Sequence, residues 1–170
     1  MRARSHFLLL LVLLVIAFPS CSVKYSFTGA SISPDVKTMT IQYFPNKASL
    51  VVPVLSRSFT EALRDYFTTQ TNLTLIEHGG DLNLEGAITG YTVQPTAIQG
   101  NETAAQNRLT ITVKVKFTNR KNEKQNFESE FSRFSDYPSS QDLNSVQAKL
   151  IKDIDDLLIQ DIFNKAVVNW

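Results

Sequence analysis

Few residues in this chain have side chains suited to chemistry, and their placement restricts what they can do. There is one cysteine, Cys21, at the end of the apolar stretch "FLLLLVLLVIAFPSCS". A lone cysteine has no partner for an internal disulfide, a redox pair or a cysteine-based metal site. Beyond the N-terminal stretch a single histidine remains, His78 in "EHGGD", and it reads as a solvated turn residue. A nucleophile needs an adjacent base, and a zinc or iron site needs several converging ligands. Neither constellation is present, so no catalytic residue and no metal site is assigned. The carboxylates Asp153, Asp155, Asp156 and Asp161 fall on what should be the polar face of a helix, and read as a solvated face. What remains is a basic row, Arg108, Lys114 and Lys116, continued by Arg120, Lys121 and Lys124 in the adjoining turn. Such a row either keeps an exposed sheet surface from pairing with other chains or offers anion-binding groups to phosphates and carboxylates of a glycolipid.

The surroundings of Cys21 give it a role. Arg2 and Arg4 are followed by an apolar run from Phe7 to Phe18 and then by Pro19, Ser20 and Cys21. That order is the layout of a secretory signal peptide. The run is shorter than the ~20 residues a membrane-spanning helix needs. An ordinary signal peptidase would cut after small residues; a lipoprotein peptidase would cut just before an acylated cysteine. Ser20, Cys21 and Ser22 fit the second pattern and resemble a bacterial lipobox, although Phe18 stands where Leu is commonest and Pro19 is unusual there. On this reading residues 1–20 are a leader and Cys21 carries a diacylglyceryl group and an N-acyl chain, with no other cofactor. Residues 21–35 are then a lead-in segment, and 36–170 form one domain. Several acyl chains, at ~0.8 kcal/mol per buried methylene, make a firm tether to the membrane leaflet.

The elements that position the basic row follow from periodicity. The chain has 17 basic and 16 acidic residues; without Arg2 and Arg4 the net charge is −1, which excludes a nucleic-acid binder driven by bulk positive charge. "KTMTIQYF" alternates as a half-buried strand, with Met39, Ile41 and Tyr43 on the inward side. Residues 53–69 place Leu55, Phe59, Ala62, Leu63 and Tyr66 on one helical face, with Pro53 as a first helical residue. "NLTLIE" is a short strand, followed by a turn at Gly79 and Gly80. In "DLNLEGAITGYTV" the inward set Leu82, Leu84, Ile88 changes parity at Tyr91, which predicts a bulge near Gly90. Residues 95–107 read as a polar loop of functional length. "RLTITVKVKFTN" alternates most clearly, with Leu109, Ile111, Val113, Val115 and Phe117 inward and the basic row outward. "QNFESEFSRF" runs back with Phe127 and Phe131 inward. Ser139 and Asp142 resemble a capping box for a helix over 141–167. The expected fold is α+β: a mainly antiparallel four-stranded sheet with two α-helices packed on one face.

"YSFTGASI", "KTMTIQYFPNKA", "LSRSFTEALRDYF", "NRLTITVKVKFTN" and "DIFNKAVVNW" follow the lipobox in an order that resembles the LptE family, the lipopolysaccharide-assembly lipoproteins in their Bacteroidetes form. The resemblance covers nearly all of the chain beyond Cys21. It implies the same two-helix, four-stranded fold and a non-enzymatic role. It also implies a place at the inner leaflet of the outer membrane, facing the periplasm, and a partner, the LptD-like outer-membrane β-barrel, whose lumen it would plug and whose assembly it would assist. Lipopolysaccharide is the implied cargo. Cys21 carries over as the acylated residue, while Arg108, Lys114 and Lys116 are glycolipid-binding candidates by location and charge only. The competing readings are a tethered periplasmic ligand-binding module, which needs a concave apolar pocket, and a lipid-anchored hydrolase, which needs a polar constellation absent from the sequence.

Overall fold

The computed structural model describes residues 32–96 and 106–168. The leader, Cys21, most of the lead-in segment and the centre of the 95–107 loop lie outside the described residues. Strand β1 is Thr38–Ile41 and helix α1 is Leu55–Gln70. Three strands follow the two-residue β2, Thr74–Leu75: β3 is Leu82–Thr96, β4 is Gln106–Asn119 and β5 is Phe127–Pro138. A single 3-10 turn, Glu123–Gln125, joins β4 to β5. Helix α2, Leu143–Phe163, continues into a wider turn at Asn164–Val168.

The sheet has five strands in the order β2-β1-β3-β4-β5 and is mixed. The expected four-stranded, mainly antiparallel sheet is therefore corrected at one end. Strands β3, β4 and β5 form the antiparallel meander, but β1 runs parallel to both β2 and β3. The cause lies in the connections. Helix α1 links β1 to β2, and a helical crossover returns the chain in the same direction. Residues 76–81 then carry the chain from one side of β1 to the other. Ile76 N–H donates to Met39 C=O on one side (2.9 Å), and Leu82 pairs with Met39 on the other. The crossing is tight. A Cβ on Gly80 would meet the Thr40 nitrogen at 2.7 Å and the Met39 carbonyl carbon at 2.8 Å, and Gly80 N–H donates to Thr40 Oγ1. That cover explains why Thr40, an alternate polar position, is only 2% exposed.

Asp81 anchors the crossover. Its carboxylate accepts from Lys37 N–H (3.0 Å), Thr38 N–H (3.1 Å) and Thr38 Oγ1–H (2.9 Å). Those bonds hold its pKa well below the ordinary carboxylate value. On the other flank of β1, Arg64 donates from Nε (3.2 Å) and Nη2 (2.8 Å) to the Ile41 carbonyl, closing the sheet edge where β2 stops.

Strand β1 ends at Ile41, so the alternation expected through residue 44 fails: Tyr43 is 55% exposed, whereas Phe44 is fully buried. Phe44 N–H donates to Thr60 Oγ1, and its ring packs edge-on against Phe59 at 5.4 Å. The parity change in β3 falls where the sequence places it, with the register shifting between Ile88 and Gly90. Helix α1 starts two residues later than expected, leaving Pro53 in the preceding turn. The cap of α2 is Asp142, whose side chain accepts from Asn144 N–H, and not Ser139.

Both helices cover one face of the sheet. Leu55, Phe59, Leu63 and Phe67 of α1 are buried, as are Leu150, Ile154, Leu158 and Ile162 of α2. Phe59 touches Phe44, which lies over Gly86, and Gln147 donates to the Tyr91 hydroxyl at 2.8 Å. Phe163 packs against Tyr66 and Phe67 at 5.2 and 5.1 Å. The two helices therefore run in the same direction, from the β3–β4 hairpin end of the sheet towards the β4–β5 turn.

Candidate functional site

The face of the meander opposite the helices carries the basic row. Cross-strand register places Glu85, Lys116 and Glu128 side by side on β3, β4 and β5. Ala87, Lys114 and Glu130 form the next rung, and Gln94, Arg108 and Asp136 one further along. All three candidate residues are on one surface, as alternation along β4 requires, but each already holds a carboxylate. Arg108 makes a two-pronged pair with Asp136, both contacts 2.8 Å, and its guanidinium stacks 3.6 Å above the Phe134 ring. Lys114 meets Glu128 at 2.6 Å and Lys116 meets Glu85 at 2.9 Å. The hydrogen bond from Lys114 lowers the Glu128 pKa, and reciprocally Glu128 raises that of Lys114. Glu85 likewise raises the Lys116 pKa. A shallow cleft of about 560 Å³ opens here, bounded by Tyr43, Lys47, Glu85, Lys114, Lys116 and Glu128. It brings a third lysine, Lys47, to the pair found by alternation.

The basic turn beyond β4 serves the fold. Arg120 donates to the Gly79 carbonyl at 3.2 Å, and Lys121 meets Asp81 at 3.3 Å. Gly79 has φ +81°, the left-handed region that glycine adopts without strain. His78 is exposed beside it. Among the described residues no group of three His, Cys, Asp or Glu side chains converges as metal ligands.

The acidic group of α2 divides. Asp153 and Asp156 pair with Lys149 and Lys152 one turn earlier, and Asp161 makes a two-pronged pair with Arg133 of β5. Asp155 does not belong to a solvated face: it is 4% exposed, and its Oδ1 has no hydrogen-bond partner. Desolvation, with a smaller contribution from Asp156, pushes its pKa up to about 8. The sequence carried the signal: Ile151 and Ile159 flank Asp155 four residues away on each side, which sets it within the apolar stripe.

The described residues thus form a two-helix α+β domain with one covered sheet face and one open polar face, on which Arg108, Lys114 and Lys116 are each paired with a carboxylate. The model of the LptE family, described as lipopolysaccharide-assembly, matches residues 36–166, and the chain belongs to that family. No curated protein matches the sequence. Among solved structures, a minor lipoprotein from Acinetobacter baumannii is similar with TM-score 0.51 at 17% identity, over 76% of this chain and 91% of that one. A putative neuraminyllactose-binding hemagglutinin homolog from Helicobacter pylori is similar with TM-score 0.51 at 9% identity, over 83% and 88%. Identities this low speak for the fold alone. The family associates this chain with lipopolysaccharide assembly at the outer membrane, a non-enzymatic role.

Proposed function

We propose that the chain is acylated at Cys21, held at the periplasmic side of the outer membrane, and partnered with an LptD-type β-barrel. It would plug the lumen of that barrel, help it assemble and assist delivery of lipopolysaccharide to the cell surface. The observation that carries this reading is the family match over 36–166, in a fold whose open sheet face is polar and internally ion-paired. A barrel lumen is wet, so a plug needs a surface that tolerates water and a core that does not deform. No described helix is long and apolar enough to cross a membrane; membrane attachment on this reading rests on Cys21. A tether also raises the effective concentration of the plug near its barrel.

The test is affinity purification of the tagged, Cys21-intact protein from detergent-solubilised outer membrane, followed by mass spectrometry. A stoichiometric large β-barrel is the expected companion. Recovery alone, or with an unrelated periplasmic protein, overturns the function and leaves the fold untouched.

A further inference from the structure

Tyr43 is an exposed aromatic residue on a rigid support. It is 55% exposed, and among the described residues neither its ring nor its hydroxyl has a partner. The backbone beneath it is fixed. Gln42 N–H donates to Leu84 C=O at 2.9 Å, Ile88 N–H to Pro45 C=O at 3.0 Å and Lys47 N–H to Ile88 C=O at 2.8 Å. Phe44, the next residue, is fully buried. A ring carried on a pinned segment loses little freedom when a ligand stacks on it, so more of the contact energy reaches the affinity. Tyr43 stands at the rim of the open-face cleft. Ala87 lines the same cleft, in the rung it shares with Lys114 and Glu130. Its methyl group leaves a depression where its cross-strand neighbours carry long side chains.

The charges of the cleft select what fits there. Lys47, Lys114 and Lys116 line it together with Glu85 and Glu128. The two ion pairs leave donors and acceptors side by side, because an ammonium has more N–H groups, and a carboxylate more lone pairs, than one pair uses. A phosphate monoester carries a charge of about −1.5 to −2, and here it would meet both carboxylates. A hydroxyl donates and accepts, so it bonds to either kind of group without breaking the pairs. The C–H face of a pyranose carries partial positive charge, which matches the negative face of an aromatic ring.

We infer that this cleft binds a neutral saccharide, with a pyranose ring stacked on Tyr43 and its hydroxyls bonded to Lys47 and to the Lys114–Glu128 and Lys116–Glu85 pairs. The inference deepens the lipopolysaccharide-assembly reading and rests on it only for the source of the sugar. A concave site of this kind stays open where a barrel wall surrounds the domain.

The test titrates the acylated full chain, isotope-labelled and in detergent micelles, and follows its amide resonances. The probes are the lipid-free, dephosphorylated core oligosaccharide of lipopolysaccharide, the trisaccharide of N-acetylglucosamine, and inorganic phosphate. Binding of either sugar is the expected result; the first assigns the source to lipopolysaccharide and the second to the cell wall. Tyr43→Ala should weaken it about tenfold and Tyr43→Trp should restore it. Neither variant should shift the thermal midpoint, because the side chain is more than half exposed. Raising the salt should change the sugar affinity by less than about twofold, since no net charge is exchanged. Failure of both sugars to bind, an unchanged affinity in Tyr43→Ala, or displacement of the sugar by phosphate overturns the inference. Co-purification of a β-barrel is scored separately. A barrel without sugar binding sinks the saccharide site and leaves the plug reading standing; sugar binding without a barrel does the reverse.

Discussion

Asp155 is the residue whose chemistry is least compatible with its surroundings. Its folded pKa of about 8 lies above the ordinary Asp value near ~3.9, so the folded state binds a proton that the unfolded state releases. Stability is then greatest below the unfolded pKa, falls as pH rises between the two values and is flat above the folded one. Asp155→Asn should remove that slope and raise stability at pH 8 by about 2–4 kcal/mol. Urea denaturation across that range checks it; an unchanged slope in the variant would show that Asp155 is solvated after all. The lysines of the open face behave differently, because they are exposed and paired. A phosphate approaching Lys114 or Lys116 must exchange with Glu128 or Glu85. If the lysines bind glycolipid, Lys114→Glu with Lys116→Glu should weaken lipopolysaccharide retention several-fold with the circular dichroism unchanged. Retention equal to wild type would assign the pair to sheet solubility alone.

At the scale of elements, the weak point is the packing of β3 against the β1–α1 connection. A Cβ on Gly86 would meet the Lys114 carbonyl oxygen at 2.1 Å and the Phe44 ring at 2.6 Å. A backbone oxygen cannot swing aside, so Gly86→Ala should cost about 2–3 kcal/mol, the upper part of the range for overpacking. A denaturation midpoint within error of wild type would mean that the strand can shift. Gly86 also illustrates what the sequence could and could not reveal. Strand β4, the inward set of β3 and its bulge near Gly90 were legible because period-2 alternation reports a half-buried strand directly. The parallel placement of β1 was not, because residues 76–81 cross its face through contacts of Gly80 and Asp81 with residues some forty positions earlier, and periodicity is blind to such contacts. Alternation sets Tyr43 on the wrong side for the same reason: β1 ends at Ile41, where Arg64 of α1 takes its carbonyl, and Thr60 accepts from Phe44 N–H beyond it. The basic row was placed correctly, but its carboxylate partners on β3 and β5 depended on register. The buried side of Asp155 is legible from Ile151 and Ile159 at helical spacing, although its acidic neighbours in sequence point to a solvated face.

The molecule as a whole has two unlike sides, and the plug reading makes a demand on both. A globule of about 130 residues, the length matched to the family, has a radius of gyration of ~14 Å and measures ~37 Å across. The backbone cylinder of a 16-stranded porin, with strands ~4.8 Å apart and tilted ~40°, is only ~32 Å wide. A barrel that admits this domain must therefore be substantially larger, and its wall would surround the domain. Surrounding is what separates a plug from a lipoprotein that docks on a barrel rim. Photo-cross-linking side chains at Thr112, on the open sheet face, and at Lys152, on the solvent side of α2, test it in intact cells. Thr112 faces away from the helices beside Ser132, with 3.1 Å between their hydroxyls, and Lys152 is exposed, so neither substitution disturbs the core. A plug gives adducts with the same large β-barrel from both positions. Adducts from one position alone would mean that a single face meets the barrel while the other stays in the periplasm, and the partner would be a docking surface instead of an enclosing wall.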